Sequence, residues 1–237
     1  SFDLATQKMA ELFKTGAIDN RGILEPFNRI KVGLGPKGIV SVWISNAGFT
    51  TEVGYFQATE TKMTMKAFHP GGVPTLEEYM SITESFSPEV KEIIKEGVAD
   101  SIKDKWNGYR EKYVWIPRFE SEKESTSHDV FIRYFNGEHI YTTASNPSLT
   151  SYEYRAVPKE TNLHWSEQNG SSYKANILFD ENEIFKAFEA ITEKGTSSKL
   201  DVVFRVDKYN STIKIYLDNG TKRIALEASK IKAFPTN

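Results

Sequence analysis

Apolar positions along this chain follow two rhythms, one of about 3.6 residues and one of two, and the chain switches between them at turns rich in Gly and Asn. Between Thr6 and Lys14, Met9, Leu12 and Phe13 recur at helical spacing. Gly16 stands where a left-handed cap belongs, so a short amphipathic helix is predicted there. From Arg29 the period shortens: Ile30, Val32 and Leu34 alternate, a turn follows at 35–38, and Val40, Val42 and Ile44 alternate again, which predicts a hairpin. Asn46, Ala47 and Gly48 predict a further turn and Thr51 to Phe56 a third strand.

The same order returns near the C-terminus. Asp180 with Glu183 predicts a capped helix start, and Ile184, Phe185, Phe188 and Ile191 give it an apolar face that ends at Gly195. Leu200, Val202 and Phe204 then parallel Ile30, Val32 and Leu34, while Ile213, Ile215 and Leu217 parallel Val40, Val42 and Ile44. Phe2-Asp3 and Phe179-Asp180 match at the two entrances. A fixed element order at a constant offset is what an internal duplication leaves. The expected fold is therefore α+β: two related helix plus antiparallel-sheet units, with a helical insertion between them. The expected boundaries are 1–60 for the first unit, 61–113 for the insertion, 114–157 for a β-hairpin region and 158–237 for the second unit.

Inside the insertion, Thr75 with Glu78 forms a capping box, Ser87-Pro88 an N-cap and N1 pair, and a third helical segment runs from Ala99 to Lys112. Strands are predicted at 114–119, 128–135 and 139–143, with Asn136-Gly137 as a type I′ turn. The stretches 121–127 and 144–151 are polar and are expected to be loops. A hairpin across Asn169-Gly170 leads from Leu163 into the second helix.

Charge and chemistry narrow the function classes. Lys plus Arg number 30 against 32 for Asp plus Glu, a net charge of −2 that argues against nucleic acid as a partner. The absence of cysteine excludes disulfides, thiolate metal sites and a cysteine nucleophile. Gly33, Gly35 and Gly38 match G-x-G-x-x-G, but they lie between two strands and Pro36 removes a donor, so a hairpin turn is the reading. No two of His69, His128, His139 and His164 share metal-ligand spacing, and no serine stands in a nucleophile elbow. No metal and no cofactor is expected. The densest aromatic and basic cluster is Trp106, Tyr109, Arg110, Tyr113 and Trp115. Such a set either anchors a bound molecule, by stacking or as interface hot spots, or packs the inserted helices on the sheet.

The segments FDLATQKMAELFKTG, IKVGLGPKGIVSVWI, EVGYFQATE, SPEVKEIIKEG, DKWNGYREKYVWIPRFE, VFIRYFNGEHIYT and ANILFDENEIFKAF together resemble the domain-of-unknown-function family numbered 2931 (DUF2931). The resemblance implies a bacterial envelope protein, a predicted lipoprotein anchored by a lipid outside this chain. It also implies a non-enzymatic binding activity, of an immunity type in some members, with another protein as partner. It carries over no catalytic residues. The alternative is a hydrolase whose site assembles only in three dimensions, with His128, Asp129 and His164 as its participants.

Family members carry further sequence ahead of SFDLATQKM. In the duplication reading, too, the first unit lacks the hairpin that enters the second. The chain is thus expected to be an N-terminally trimmed piece, with an open sheet edge filled by the absent segment or by strand addition from a second copy.

Overall fold

The computed structural model describes residues 2–19, 21–68, 70–72, 75, 78, 101–192 and 199–236. By internal contacts these group into two compact units, one formed by 1–31, 42–54 and 107–237 and the other by 32–41 and 55–106.

Helix α1 (Phe2–Thr15) ends on Gly16 at φ 63°, as the cap pattern predicts. The short strands β1 (Ala17–Ile18) and β2 (Leu24–Glu25) pair with each other. β3 (Arg29–Leu34), β4 (Ile39–Ser45) and β5 (Phe49–Gln57) follow, and the Asn46 side chain closes the last turn by accepting from Gly48 and Phe49 N–H. Next come α2 (Met65–Phe68) and α3 (Ser101–Gly108). The capping contact from Glu78 N–H to Thr75 Oγ1 is present at 3.1 Å; the helix expected after Ser87 lies outside the described residues. β6 (Lys112–Ser121), β7 (Ser125–Tyr134) and β8 (His139–Thr143) come next, followed by α4 (Pro147–Thr150) and β9 (Glu153–Ala156). β10 (Pro158–Glu167) and β11 (Ser172–Leu178) form the expected hairpin before α5 (Glu181–Ile191), whose Glu183 N–H is capped by Asp180. The chain closes with β12 (Leu200–Val206), β13 (Ile213–Asp218), β14 (Arg223–Ala225) and β15 (Lys230–Thr236).

The strands make one antiparallel eight-stranded sheet in the order β15-β11-β10-β7-β8-β5-β4-β3, and one mixed five-stranded sheet in the order β14-β13-β12-β6-β9. This corrects the α+β duplication: the fold is mainly β. Helices α1 and α5 each precede a hairpin, but β3, β4 and β5 belong to the antiparallel sheet, whereas β12 lies parallel to β6 in the other. Local periodicity encodes helix, strand and turn without encoding which strand pairs with which, so two stretches of like pattern joined different sheets. The expectation of a missing entry hairpin rested on the duplication and loses that support.

One core joins both sheets and α5. Thr161, Leu163 and Trp165 of β10 and Ala175 and Ile177 of β11 point inward, while Asn162, His164, Lys174 and Asn176 alternate outward. That alternation is the mark of an antiparallel sheet with one wet face. β12 is buried at Val202, Val203 and Phe204 in succession, as befits its parallel, inner position. Ring pairs seal the core, with Phe119 at 5.9 Å from Trp165 and Phe179 at 6.4 Å from Phe204.

The Asn136-Gly137 turn differs from the expected type I′. Gly137 has φ 85° but Asn136 is not left-handed, and Tyr134 exchanges bonds with both Gly137 and Glu138. This is a type I turn with a glycine bulge, the three-residue hairpin solution.

Candidate site on the open face of the large sheet

Register places chemistry on the outer face of the eight-stranded sheet. Asn162 faces Asn176 on one side and Phe131 on the other; Asn176 faces Lys232, and Phe131 faces Tyr141. A row of cation, two amides and two aromatic rings thus crosses five strands. Phe131 and Tyr141 meet edge to face, with centroids 6.3 Å apart. A cavity of about 380 Å³ lies on this face, bordered by Asp129, Phe131, Tyr141, Asn162, His164 and Lys174 among others. Asn162 Oδ1 is buried and finds no donor among the described residues.

A bulge shapes one end. Leu163 pairs with Val130, but Trp165 pairs with Ser127, so His128 and Asp129 together oppose His164. His164 Nδ1 lies 3.6 Å from Asp129 Oδ2, His128 Nε2 lies 2.5 Å from Ser166 Oγ, and the two imidazoles are 5.3 Å apart. The three residues expected to serve a hydrolase are therefore brought together. A triad, however, sets one imidazole between hydroxyl and carboxylate. Here the hydroxyl meets one ring and the carboxylate the other. Among the described residues, no group of three or more His, Asp or Glu side chains is placed to hold a metal ion.

His139 borders the face from β8, within 5.8 Å of the Phe131 ring. Burial first, then the nearby cations of Lys31 and Arg133, pulls its pKa down from 6.5 to about 4.

The aromatic and basic cluster picked out by sequence lies elsewhere. Trp115 is wholly buried and donates to Ala156 O at 3.2 Å, so its ring offers a ligand no surface. Tyr113 is half-buried, 4.9 Å from Phe188, and burial pushes its phenol up. Tyr109 stacks on Phe135 at 5.2 Å, and its hydroxyl donates to Glu181 at 2.8 Å. Arg110 Nε donates to Glu52 Oε1 at 2.8 Å. Trp106 is half-buried in the other unit, where a Cβ on Gly35 would come within 3.6 Å of its ring.

Arg110 belongs to a charge network that sequence reading missed. Lys112 binds Glu138 at 2.9 Å, Glu138 Oε1 accepts from Glu52 N–H at 2.9 Å, and Lys8 of α1 donates to Glu52 O at 2.5 Å. Burial pushes the Glu52 carboxyl up against the pull of Arg110, and burial together with the Lys112 charge lowers Lys8. Nothing in the spacing of these five residues announces the network, because they come from four separate segments. The outward amides and rings were more accessible: Asn162, His164, Asn176 and Phe131 are the polar or exposed partners in strands whose alternate positions are apolar.

Residues 1–101 match the model of a family described as "Protein of unknown function (DUF2931)", which bears out the resemblance read from the chain's first segments. No curated protein and no solved structure matches the chain.

Proposed function

Taking that family match as premise, we propose that this chain is a non-enzymatic binding module of the bacterial envelope, and that it receives its ligand on the open face around Asp129, Phe131, Tyr141, Asn162 and His164. One observation carries the reading. The face presents amide, imidazole and aromatic groups in register over a buried apolar core. Convergent polar groups beside exposed rings on a rigid support are the general form of a small-molecule site. The envelope location is supported by the resemblance of the sequence alone.

Saturation-transfer NMR against a library of sugars, nucleosides, amino acids and short peptides tests it. Ligand signals are expected with the wild type and are expected to vanish in Tyr141→Ala/Asn162→Ala at an unchanged unfolding midpoint. Hits that survive the double substitution would move the site elsewhere. The short contact between His128 and Ser166 favours a second reading, a hydrolase, at the same place. That reading requires the bound compound to be recovered cleaved, and to be recovered intact from His128→Gln.

A further inference from the structure

Resting on the binding reading of this face, we infer that its ligand is an acidic carbohydrate, with sugar rings lying along the Tyr141–Asn162–Asn176 row and an anionic substituent held at Lys174 and Lys232.

The argument begins with the backbone. β7, β8, β10 and β11 are inner strands, each paired on both sides. Their amides and carbonyls are engaged in the ladders, so recognition on the face falls to side chains. An extended peptide gains most by adding to a sheet edge, where main-chain groups are free. The face instead suits a ligand that brings its own donors and acceptors together with an apolar surface. A pyranose ring does both: its hydroxyls each donate and accept, and its C–H face stacks on an aromatic ring. Tyr141 supplies an exposed ring. The amides of Asn162 and Asn176 supply donors and acceptors from adjacent strands.

The charges set the second half of the class. Of the acids on this face, Glu160 pairs with Arg133 at 3.1 Å, and Asp129 lies 3.6 Å from the His164 imidazole. Lys174, Lys230 and Lys232 make no ion pair with a carboxylate among the described residues, and they gather on β11 and β15 around Asn176. Lysines on an edge strand such as β15 also discourage sheet-to-sheet association. Lys174, however, stands on an inner strand, where that purpose does not apply. The ammonium groups at this end of the row therefore call for an anion there. From Tyr141 to Lys232 the row spans four strand spacings, about 19 Å at about 4.8 Å each, which is longer than one sugar ring. A chain of several sugars fits this span better than a free monosaccharide. A nucleic acid shares the aromatic and cationic needs, but its phosphates repeat along the strand and would pass the Asp129 carboxylate, in a chain of net charge −2.

The test uses the whole chain on an array of immobilised uronate-, sialate- and sulfate-bearing oligosaccharides beside neutral maltotriose, galacturonate monomer and octathymidylate. An acidic oligosaccharide is expected to bind at least tenfold more tightly than maltotriose and than the monomer. Lys174→Ala/Lys232→Ala is expected to remove that preference, bringing the acidic oligosaccharide down to no more than the affinity of maltotriose. Tyr141→Ala is expected to weaken both, with unfolding midpoints held as the control. If octathymidylate binds best, or if no saccharide binds while the NMR library yields a ligand dependent on Tyr141 and Asn162, the carbohydrate class is overturned and the binding face stands. If the monomer binds as tightly as the chain, the extended site is overturned. If no ligand of any class depends on Tyr141 and Asn162, the inference and the reading beneath it both fall.

Discussion

Trp165 Nε1 donates to the side-chain oxygen of Asn210 across 2.8 Å, and both residues are buried. Asn210 sits in the left-handed region at φ 55°, and its amide nitrogen reaches Glu167 Oε1 at 2.5 Å. One side chain thus satisfies the single polar atom of a core indole and holds the turn between β12 and β13. Asn210→Ala removes the acceptor and strains the backbone, for an expected loss of about 2–4 kcal/mol. Asn210→Gly relieves the strain and is expected to cost about 1–2 kcal/mol. Urea denaturation of both variants measures the two parts; equal losses would show that the left-handed backbone contributes nothing.

Glu52 gives stability a pH dependence of unusual sign. Its folded pKa is raised above 4.5, chiefly by burial, so the native state holds this proton more tightly than the unfolded chain does. The corresponding stability is present below pH 4.5 and is lost as pH rises through the folded value. Denaturant midpoints for wild type and Glu52→Gln, taken from pH 4 to 7, should show the wild type losing ground relative to the variant as pH rises. A relative gain would mean that Arg110 outweighs burial.

How much of this was legible in the sequence depends on range. Helix α1 with its Gly16 cap, the strands from Arg29 to Gln57, and the hairpin into α5 were all readable, because each is written in neighbouring side chains. The parallel register that sets Phe204 beside Phe119 could not be read that way, since a period of two looks the same whichever strand lies alongside. The site divides similarly. His128, Asp129 and His164 were singled out as the participants of an assembled site, and their meeting depends on a bulge that no local pattern marks. The aromatic content of 109–115 drew attention for its density, yet Trp115 is core and Arg110 is held by Glu52. The sparser amides of β10 and β11 form the more open surface.

His139 carries the opposite pH dependence. Its pKa falls from 6.5 to about 4 in the fold because the imidazolium is poorly solvated there and faces Lys31 and Arg133. The unfolded chain therefore takes up the proton first, and the stability held above pH 6.5 is lost as pH falls towards 4. His139→Gln keeps a polar side chain beside Thr50 and does not titrate. Thermal unfolding between pH 7 and 4 should fall less steeply for this variant than for the wild type, and parallel curves would place the acid sensitivity in other groups.

Trp43 and Gly137 should prove energetically coupled. The half-buried indole donates from Nε1 to Asn136 O at 3.2 Å, and a Cβ on Gly137 would stand 3.0 Å from its Cζ2 atom. Because the indole is half-buried, Trp43→Ala is expected to cost about 2–3 kcal/mol, from the apolar area the ring removes from water. Gly137→Ala combines a strained φ of 85° with that close approach, and about 2 kcal/mol or more is expected for the pair of effects. In the Trp43→Ala background the ring is gone and only the backbone part remains, so Gly137→Ala should cost less there than in the wild type. A double-mutant cycle by urea denaturation measures the difference. Strict additivity would show that the ring and the turn do not press on each other.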